Sequence, residues 1–283
     1  MRLVARYARP VGVGLVLAGL IFLVWVFAVV APVHQTVGYD AFAYWNVSLP
    51  EPYGIPLGSL GSFLYSPPVA IVADWFSALD WWVFLWCWIM LLVGTVIWIA
   101  GSRGWVLVAF AIPFVAFELY HGNIHILLAA AAWLGFQHPW AWAFVLLTKP
   151  TAGVGLLCFA VRREWRPLFI ALGTTAAICL ASVVLWPSLW QDYVDALLLD
   201  AGRLTDTVNI PVPLWVRLPA AAILVTWGAL TDRRWTVVVS AMLALPVLWL
   251  GAGAMLIGVI PAIRAQRAEG ARRSHASARV SSA

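Results

Sequence analysis

Apolar residues in this chain come in long unbroken runs, not in the alternation of a half-buried strand or the narrow stripe of a soluble helix. The runs are Val11 to Ala31, Pro67 to Leu79, Trp81 to Ala100, Trp105 to Tyr120, Ile124 to Phe136, Pro139 to Val161, Pro167 to Trp186, Pro213 to Leu230, Trp235 to Trp249 and Ala252 to Ile263. A straight helix needs ~20 apolar residues to cross a bilayer. Several runs are shorter, which is tolerated where protein or a water-filled cavity covers the helix ends. The pattern predicts an all-α polytopic membrane protein of about ten transmembrane helices, with no soluble domain, internal repeat or linker.

Two arrangements of these runs stay open. With ten crossings and the N-terminus inside, the C-terminal tail is also inside and every arginine cluster lies in the cytoplasm, whereas Arg103 lies outside. In the second arrangement Pro67 to Leu79 is re-entrant and Pro139 to Val161 splits at Lys149-Pro150. Arg103 then moves inside, and Lys149 and the turn His121-Gly122-Asn123 face outward. Both share two outer loops, His34 to Ser66 and Pro187 to Val212. Ser188 with Gln191 is a capping-box pattern. After it, Leu189, Trp190, Tyr193, Val194, Leu197 and Leu198 share one helical face, opposite Gln191, Asp192 and Asp195. Such a helix lies in the membrane interface. The first loop, with Pro50, Pro52, Pro56, Pro67 and Pro68, is ordered by packing more than by long helices.

Composition sharpens this picture. Of 283 residues, 64% are hydrophobic and 10% charged, against about 25% charged in soluble domains, so lipid must solvate much of the chain. The net charge of +5 is clustered: Arg2, Arg6 and Arg9; Arg162, Arg163 and Arg166; Arg233 and Arg234; and a tail with Arg264, Arg267, Arg272, Arg273 and Arg279. Basic clusters beside spans mark the cytoplasmic side, which favours lipid headgroups over nucleic acid as their partner. Residues 1–264 form one transmembrane unit and 265–283 a disordered basic tail. Cys87, Cys158 and Cys179 fit no metal or disulfide spacing. The first run is long enough to act as a signal anchor. Asn46-Val47-Ser48 is a weak glycosylation pattern.

Few polar residues remain for chemistry. Asp40 follows the first run, in a loop without lysine or arginine, among Tyr39, Phe42, Tyr44 and Trp45. It fits a helix-capping or solvated loop aspartate. It also fits a general base, because partial burial without a cation raises a carboxyl pKa. Lys149 is the sole lysine and sits mid-run, where a cation is costly and is a functional candidate by default. It reads either as a snorkelling side chain at a kink or as a point charge for a lipid phosphate. His121 and His125 have the spacing of a helical metal pair, but no third ligand is apparent. A hydrogen-bonding cluster is the better reading, with Glu118 available to pair with a histidine or Lys149.

In order along the chain, these features resemble the polyprenyl-phosphate-sugar-dependent GT-C glycosyltransferases, in particular family-87 mannosyltransferases that extend phosphatidylinositol mannosides. The resemblance rests on Tyr39-Asp40 with Tyr44-Trp45 after the first span, Tyr65-Ser66-Pro67-Pro68 before the next, and His121-Gly122-Asn123-Ile124. It continues through Lys149-Pro150 with the run to Arg162, Arg163 and Arg166, then Asn209, then Leu245-Pro246, Trp249 and Pro261-Ala262-Ile263. The chain is short for that family, whose members usually have longer outer loops.

The resemblance implies a GT-C-like fold and an inverting transfer of mannose or a similar sugar on the outer face. The donor is a polyprenyl-phosphate sugar and the acceptor a cell-envelope glycolipid or glycan. Asp40 maps onto the general base. Lys149, Arg203 and Arg217 are the candidates for the donor phosphate. Tyr39, Tyr44, Trp45, Tyr65, His121, Asn123 and Asn209 are the candidates for binding substrate. A monophosphate leaving group needs no metal on physical grounds, so no cofactor is expected. The same intramembrane polar residues also suit a lipid or sugar transporter, or an inactive scaffold of the same fold.

Overall fold

A computed structural model of the protein describes residues 13–14, 17–30, 36–56, 58–101, 105–200, 210–266 and 268, with side chains excepted at 105–110 and 200. Arg203 and Asn209, the N-terminal arginines, Arg103 and nearly all of the basic tail lie outside the described residues. Every regular element among those described is helical, as an apolar medium demands: a helix satisfies its own backbone polar groups.

The first helix, α1, is Leu17–Val30, with its last turn Val26–Val30 wound as a π-helix. It is followed by α2 (Tyr39–Trp45) and α3 (Pro67–Asp74). Two helices are long and apolar enough to cross a membrane unaided: α4 (Trp81–Ala100) and, further on, Trp165–Leu185. Helix α4 is capped at both ends. Asp80 accepts from the backbone N–H groups of Trp82 and Val83, and the Arg264 guanidinium donates to the carbonyls of Ile99 and Ala100.

The other runs are shorter or broken, and the reasons are local. Trp105 to Tyr120 and Ile124 to Phe136 become α5 (Trp105–His121) and α6 (His125–Leu134), which meet at a bend of 115°. The run Pro139 to Val161 is interrupted at Lys149-Pro150. Helix α7 (Trp142–Thr148) stops at Lys149 (φ −138°, ψ 79°), and a 3₁₀ segment, Pro150–Leu156, leads into α8 (Leu157–Val161). Proline excludes its predecessor from the helical region and lacks an N–H to donate back. Helix α3 has eight residues, so it rises about 12 Å, well short of a ~30 Å hydrocarbon core.

Helix α9 (Trp165–Leu185) starts before Pro167, because proline fits the first turn, where its missing N–H costs nothing. Only 11% of its most apolar stretch is buried within the protein, so it is a peripheral helix. Then follow α10 (Pro187–Asp200), α11 (Leu214–Leu230), α12 (Trp235–Leu243) and α13 (Leu250–Gln266), whose opening Leu250–Gly258 is 3₁₀. The expected run to Trp249 ends early because Pro246 cannot continue α12. On α10 the inward stripe is Leu189, Trp190 and Tyr193, whereas Val194, Leu197 and Leu198 are exposed. The apolar face read from the sequence is therefore divided between protein and surroundings.

The centre of the molecule is the packing of α5, α6 and α12 against the 3₁₀ opening of α13. Small residues (Ala129, Ala132, Ala241, Ala252, Ala254, Gly258) let backbones approach where lipid gives no hydrophobic drive for helices to associate. At one such crossing a Cβ on Gly228 of α11 would lie 1.8 Å from Thr236 Oγ1 of α12. Gly228→Ala should therefore destabilise the fold by about 1–3 kcal/mol, read as a lower thermal midpoint in detergent.

Candidate active site

Asp40 is set by the short helix α2, and α2 is set by the break between α5 and α6. Gly38, in the left-handed region at φ 73°, caps α2 and donates its N–H to the Tyr120 carbonyl at 2.7 Å. Thr36 Oγ1 and the Tyr120 hydroxyl are also 2.7 Å apart. Within the break, Gly122 has φ 70°, and a Cβ there would stand 2.6 Å from that of Ala41. Both positions need glycine for its positive φ, and Gly122 also for its lack of bulk. Trp88 Nε1–H of α4 donates to the Gly122 carbonyl at 2.7 Å and fixes the turn from the other side.

That docking brings Asn123 to Asp40, 83 residues away in sequence: Asn123 Nδ2–H donates to Asp40 Oδ2 at 2.7 Å. Asn123 Oδ1 accepts from the Ile124 N–H at 2.7 Å and from the Tyr44 hydroxyl at 3.3 Å. The Tyr44 and Tyr65 hydroxyls are 3.1 Å apart, and Lys149 Nζ sits 4.5 Å from the centre of the Tyr65 ring, over its face. One contact chain thus runs Asp40, Asn123, Tyr44, Tyr65, Lys149. It joins α2, the α5–α6 break and the α7 break. Ser66 secures the far end by donating its hydroxyl to the Leu147 carbonyl at 2.7 Å.

The environment shifts Asp40. Desolvation by the surrounding protein pushes its carboxyl above the ordinary carboxylate range and is the largest influence. The His121 ring and the Asn123 hydrogen bond pull it back down, Glu118 raises it, and His125 lowers it. His121 Nδ1–H donates to the Phe117 carbonyl at 3.0 Å, and its ring meets Trp249 edge to face at 4.9 Å. Behind it Glu118, fully buried, pairs with His125 Nδ1 at 2.9 Å. His121 and His125 flank the break instead of sharing a helical face, and no group of three His, Cys, Asp or Glu among the described residues is disposed to hold a metal ion.

Three other candidates are placed differently. Tyr39 donates its hydroxyl to the Gly58 carbonyl at 3.1 Å, within the loop that precedes α3, and Trp45 Nε1–H donates to the Leu79 carbonyl at 2.9 Å, just before α4. Arg217, buried, donates to four backbone carbonyls, those of Val212, Leu243, Leu245 and Pro246, at 2.7–3.1 Å. Three of these, Leu243, Leu245 and Pro246, are carbonyls freed where α12 ends, which accounts for a charge in an apolar run. Arg203 and Asn209 lie outside the described residues.

Beside the contact chain, lined in part by Tyr44 and Tyr65, is an apolar cavity of about 240 Å³. Val69, Phe76, Leu127 and Phe144 line it, and the exposed Val72 and Leu91 stand at its rim. The site thus joins a recessed carboxylate, an amide, two phenols and an amine to a groove suited to a hydrocarbon chain.

The profile of glycosyltransferase family 87 matches residues 63–281, well over half of the chain. The chain belongs to glycosyltransferase family 87. The matched region of this family-87 protein contains Tyr65, His121, Asn123 and Lys149, whereas Tyr39, Asp40, Tyr44 and Trp45 precede it. No curated protein and no solved structure matches the chain.

Trp88, which the sequence did not single out, and Trp249, noted there only as part of the family pattern and not for its ring contacts, are two of 19 tryptophans. Nothing in their neighbours sets them apart. The assignment of Arg217 to the backbone is testable. Arg217→Ala leaves four carbonyls, one buried and three partly buried, without that donor and should cost about 2–3 kcal/mol, seen as a lowered thermal midpoint. A phosphate ligand would instead leave stability intact and raise the donor KM.

Proposed function

We propose that this family-87 glycosyltransferase transfers a sugar, mannose or a similar pentose or hexose, from a polyprenyl-phosphate donor to a cell-envelope glycolipid or glycan. The fold is GT-C-like and multi-pass in the inner membrane, with both termini cytoplasmic and the site on the outer face. The observation that carries the reading is the contact chain from Asp40 to Lys149. It places a basic carboxylate and a cation at opposite ends of one polar strip, beside an apolar groove.

In this mechanism the acceptor hydroxyl attacks the anomeric carbon while Asp40 takes its proton. The bond from that carbon to the phosphate oxygen breaks, and its electron pair leaves with the lipid phosphate. Attack opposite the leaving group inverts the centre. The transition state is oxocarbenium-like, and the Asp40 carboxylate stabilises its charge at close range. The departing lipid monophosphate is a stable anion that needs neutralisation, not a proton. Lys149 supplies it as a point charge. Tyr65, beneath the amine, holds it in place by a cation–π contact. Asn123 orients Asp40 and, by donating to the ionised form, keeps it competent as a base. The hydrocarbon of the donor lies along Val69, Phe76 and Leu127.

A transfer assay with polyprenyl-phosphate sugars tests the assignment. Asp40→Asn should lower kcat by about 10²–10⁴-fold, and near-normal turnover would remove Asp40 from the base role. Lys149→Ala should raise the donor KM at least about tenfold, and an unchanged donor affinity would take Lys149 out of the phosphate site.

The pH dependence follows from the shift. A base works ionised, so activity is low below the Asp40 pKa and rises through it. Since burial lifts that pKa, the acid limb lies above the usual ~4. Asn123→Ala removes a donor to the ionised form, so the limb should move to still higher pH. A limb that stays put or moves down would contradict the role given to Asn123.

A further inference from the structure

The geometry points to Glu118 as a positioning residue for the proposed transfer: its carboxylate clamps the α5–α6 break and so fixes the angle at which Asn123 presents its amide to Asp40. This rests on Asp40 being the base.

A helix that begins in an apolar interior leaves its first N–H groups without partners, and no bulk water is at hand to take them. Here two side chains take three of these donors. Asn123 Oδ1 accepts from Ile124. Glu118 Oε1 accepts from His125 at 2.5 Å and from Ile126 at 3.4 Å. The other oxygen, Oε2, accepts from His125 Nδ1–H at 2.9 Å. A cap normally comes from the residue just before the helix. Glu118 instead belongs to the last turn of α5, where its carbonyl accepts from the Gly122 N–H at 2.8 Å. One residue therefore holds the end of α5 through its backbone and the start of α6 through its side chain.

This arrangement is costly. A fully buried carboxylate loses its hydration, and a serine or aspartate at position 124 would cap α6 without burying one so deep. What the longer reach adds is a fixed bend. Asn123 lies inside the clamped turn and bridges Ile124 to Asp40, so a change in the bend turns the amide away from the carboxylate. Trp249 closes the turn from above, against both His121 and His125.

Glu118 makes no hydrogen bond to Asp40; it acts through Asn123 and through its charge. The charged or titratable groups that bear on Asp40 are His121 and His125, which favour its ionised form, and Glu118, which opposes it. On its own helix the titratable groups that interact with it are Tyr39 and Tyr44.

The test uses the full-length enzyme with Glu118→Gln and Glu118→Ala. The Gln variant keeps an oxygen for the two backbone N–H groups and loses the charge. Its kcat should fall about tenfold with the donor KM within twofold, and its acid limb should move to lower pH. Glu118→Ala leaves three donors unpartnered, and its kcat should fall about 10²-fold. Amide hydrogen exchange at Ile124, His125 and Ile126 should quicken in the Ala variant. If kcat in both variants stays within twofold of wild type, or the acid limb of the Gln variant does not move, the positioning role is overturned. Unchanged exchange in the Ala variant overturns the clamp itself. The exchange readout does not need turnover, so a chain that transfers no sugar with any donor sinks the glycosyltransferase mechanism while the clamp is still judged. Should the Ala variant fail to fold, the Gln variant decides.

Discussion

A break in a helix within an apolar medium must find partners for every backbone group it frees, and here the partners are the site. At the α5–α6 junction, Gly122 turns the chain, and Asn123 and Glu118 take the exposed N–H groups. The turn's surface is then shaped to receive α2 through Gly38, Ala41 and Thr36. Asp40 is placed by this docking, with Tyr39 and Trp45 anchoring the rest of α2. The Asn123–Asp40 hydrogen bond is the final contact of a series of backbone satisfactions, which is why a seven-residue helix can hold a half-buried carboxylate in one orientation.

The second break, at Lys149-Pro150, follows the same logic with the opposite charge. Proline stops α7, the carbonyl of Leu147 is taken by Ser66, and the lysine is left free to lie over Tyr65. Two interruptions from distant parts of the sequence therefore meet across two tyrosines, one holding the Asp40 carboxylate through Asn123 and the other presenting the Lys149 amine. Keeping them apart preserves both. A direct ion pair would hold the carboxylate ionised but neutralise the amine that the proposed mechanism assigns to the donor phosphate. The intervening amide and phenols supply directional hydrogen bonds without quenching either charge.

Much of this was legible in the sequence because charge is so rare in it. Asp40, Glu118, Asn123 and Lys149 stand out against apolar runs, and Pro150 and Gly122 mark where helices stop. What the sequence concealed is partnership. Glu118 was open to Lys149 or to a histidine, and only the 115° bend brings it to His125. Arg217 has the same conspicuous isolation as Lys149, yet its planar fork is consumed by carbonyls at the Pro246 break. Trp88 and Trp249 carry no local sign of their roles, since one tryptophan in an apolar helix looks like another. Helix lengths misled where proline or a short 3₁₀ segment divided a run, because hydropathy counts residues and not turns.

The central claim is that the two breaks grip one substrate between them, sugar at Asp40 and phosphate at Lys149. The most direct measurement is a structure of the enzyme with a non-transferable polyprenyl-phosphate-sugar analogue, from which the distance between Lys149 Nζ and the nearest phosphate oxygen is read. The account predicts about 4 Å or less, with the anomeric carbon facing the Asp40 carboxylate and the lipid chain along Val69 and Phe76. A phosphate bound away from Lys149, or a sugar that Asp40 cannot reach, would contradict it.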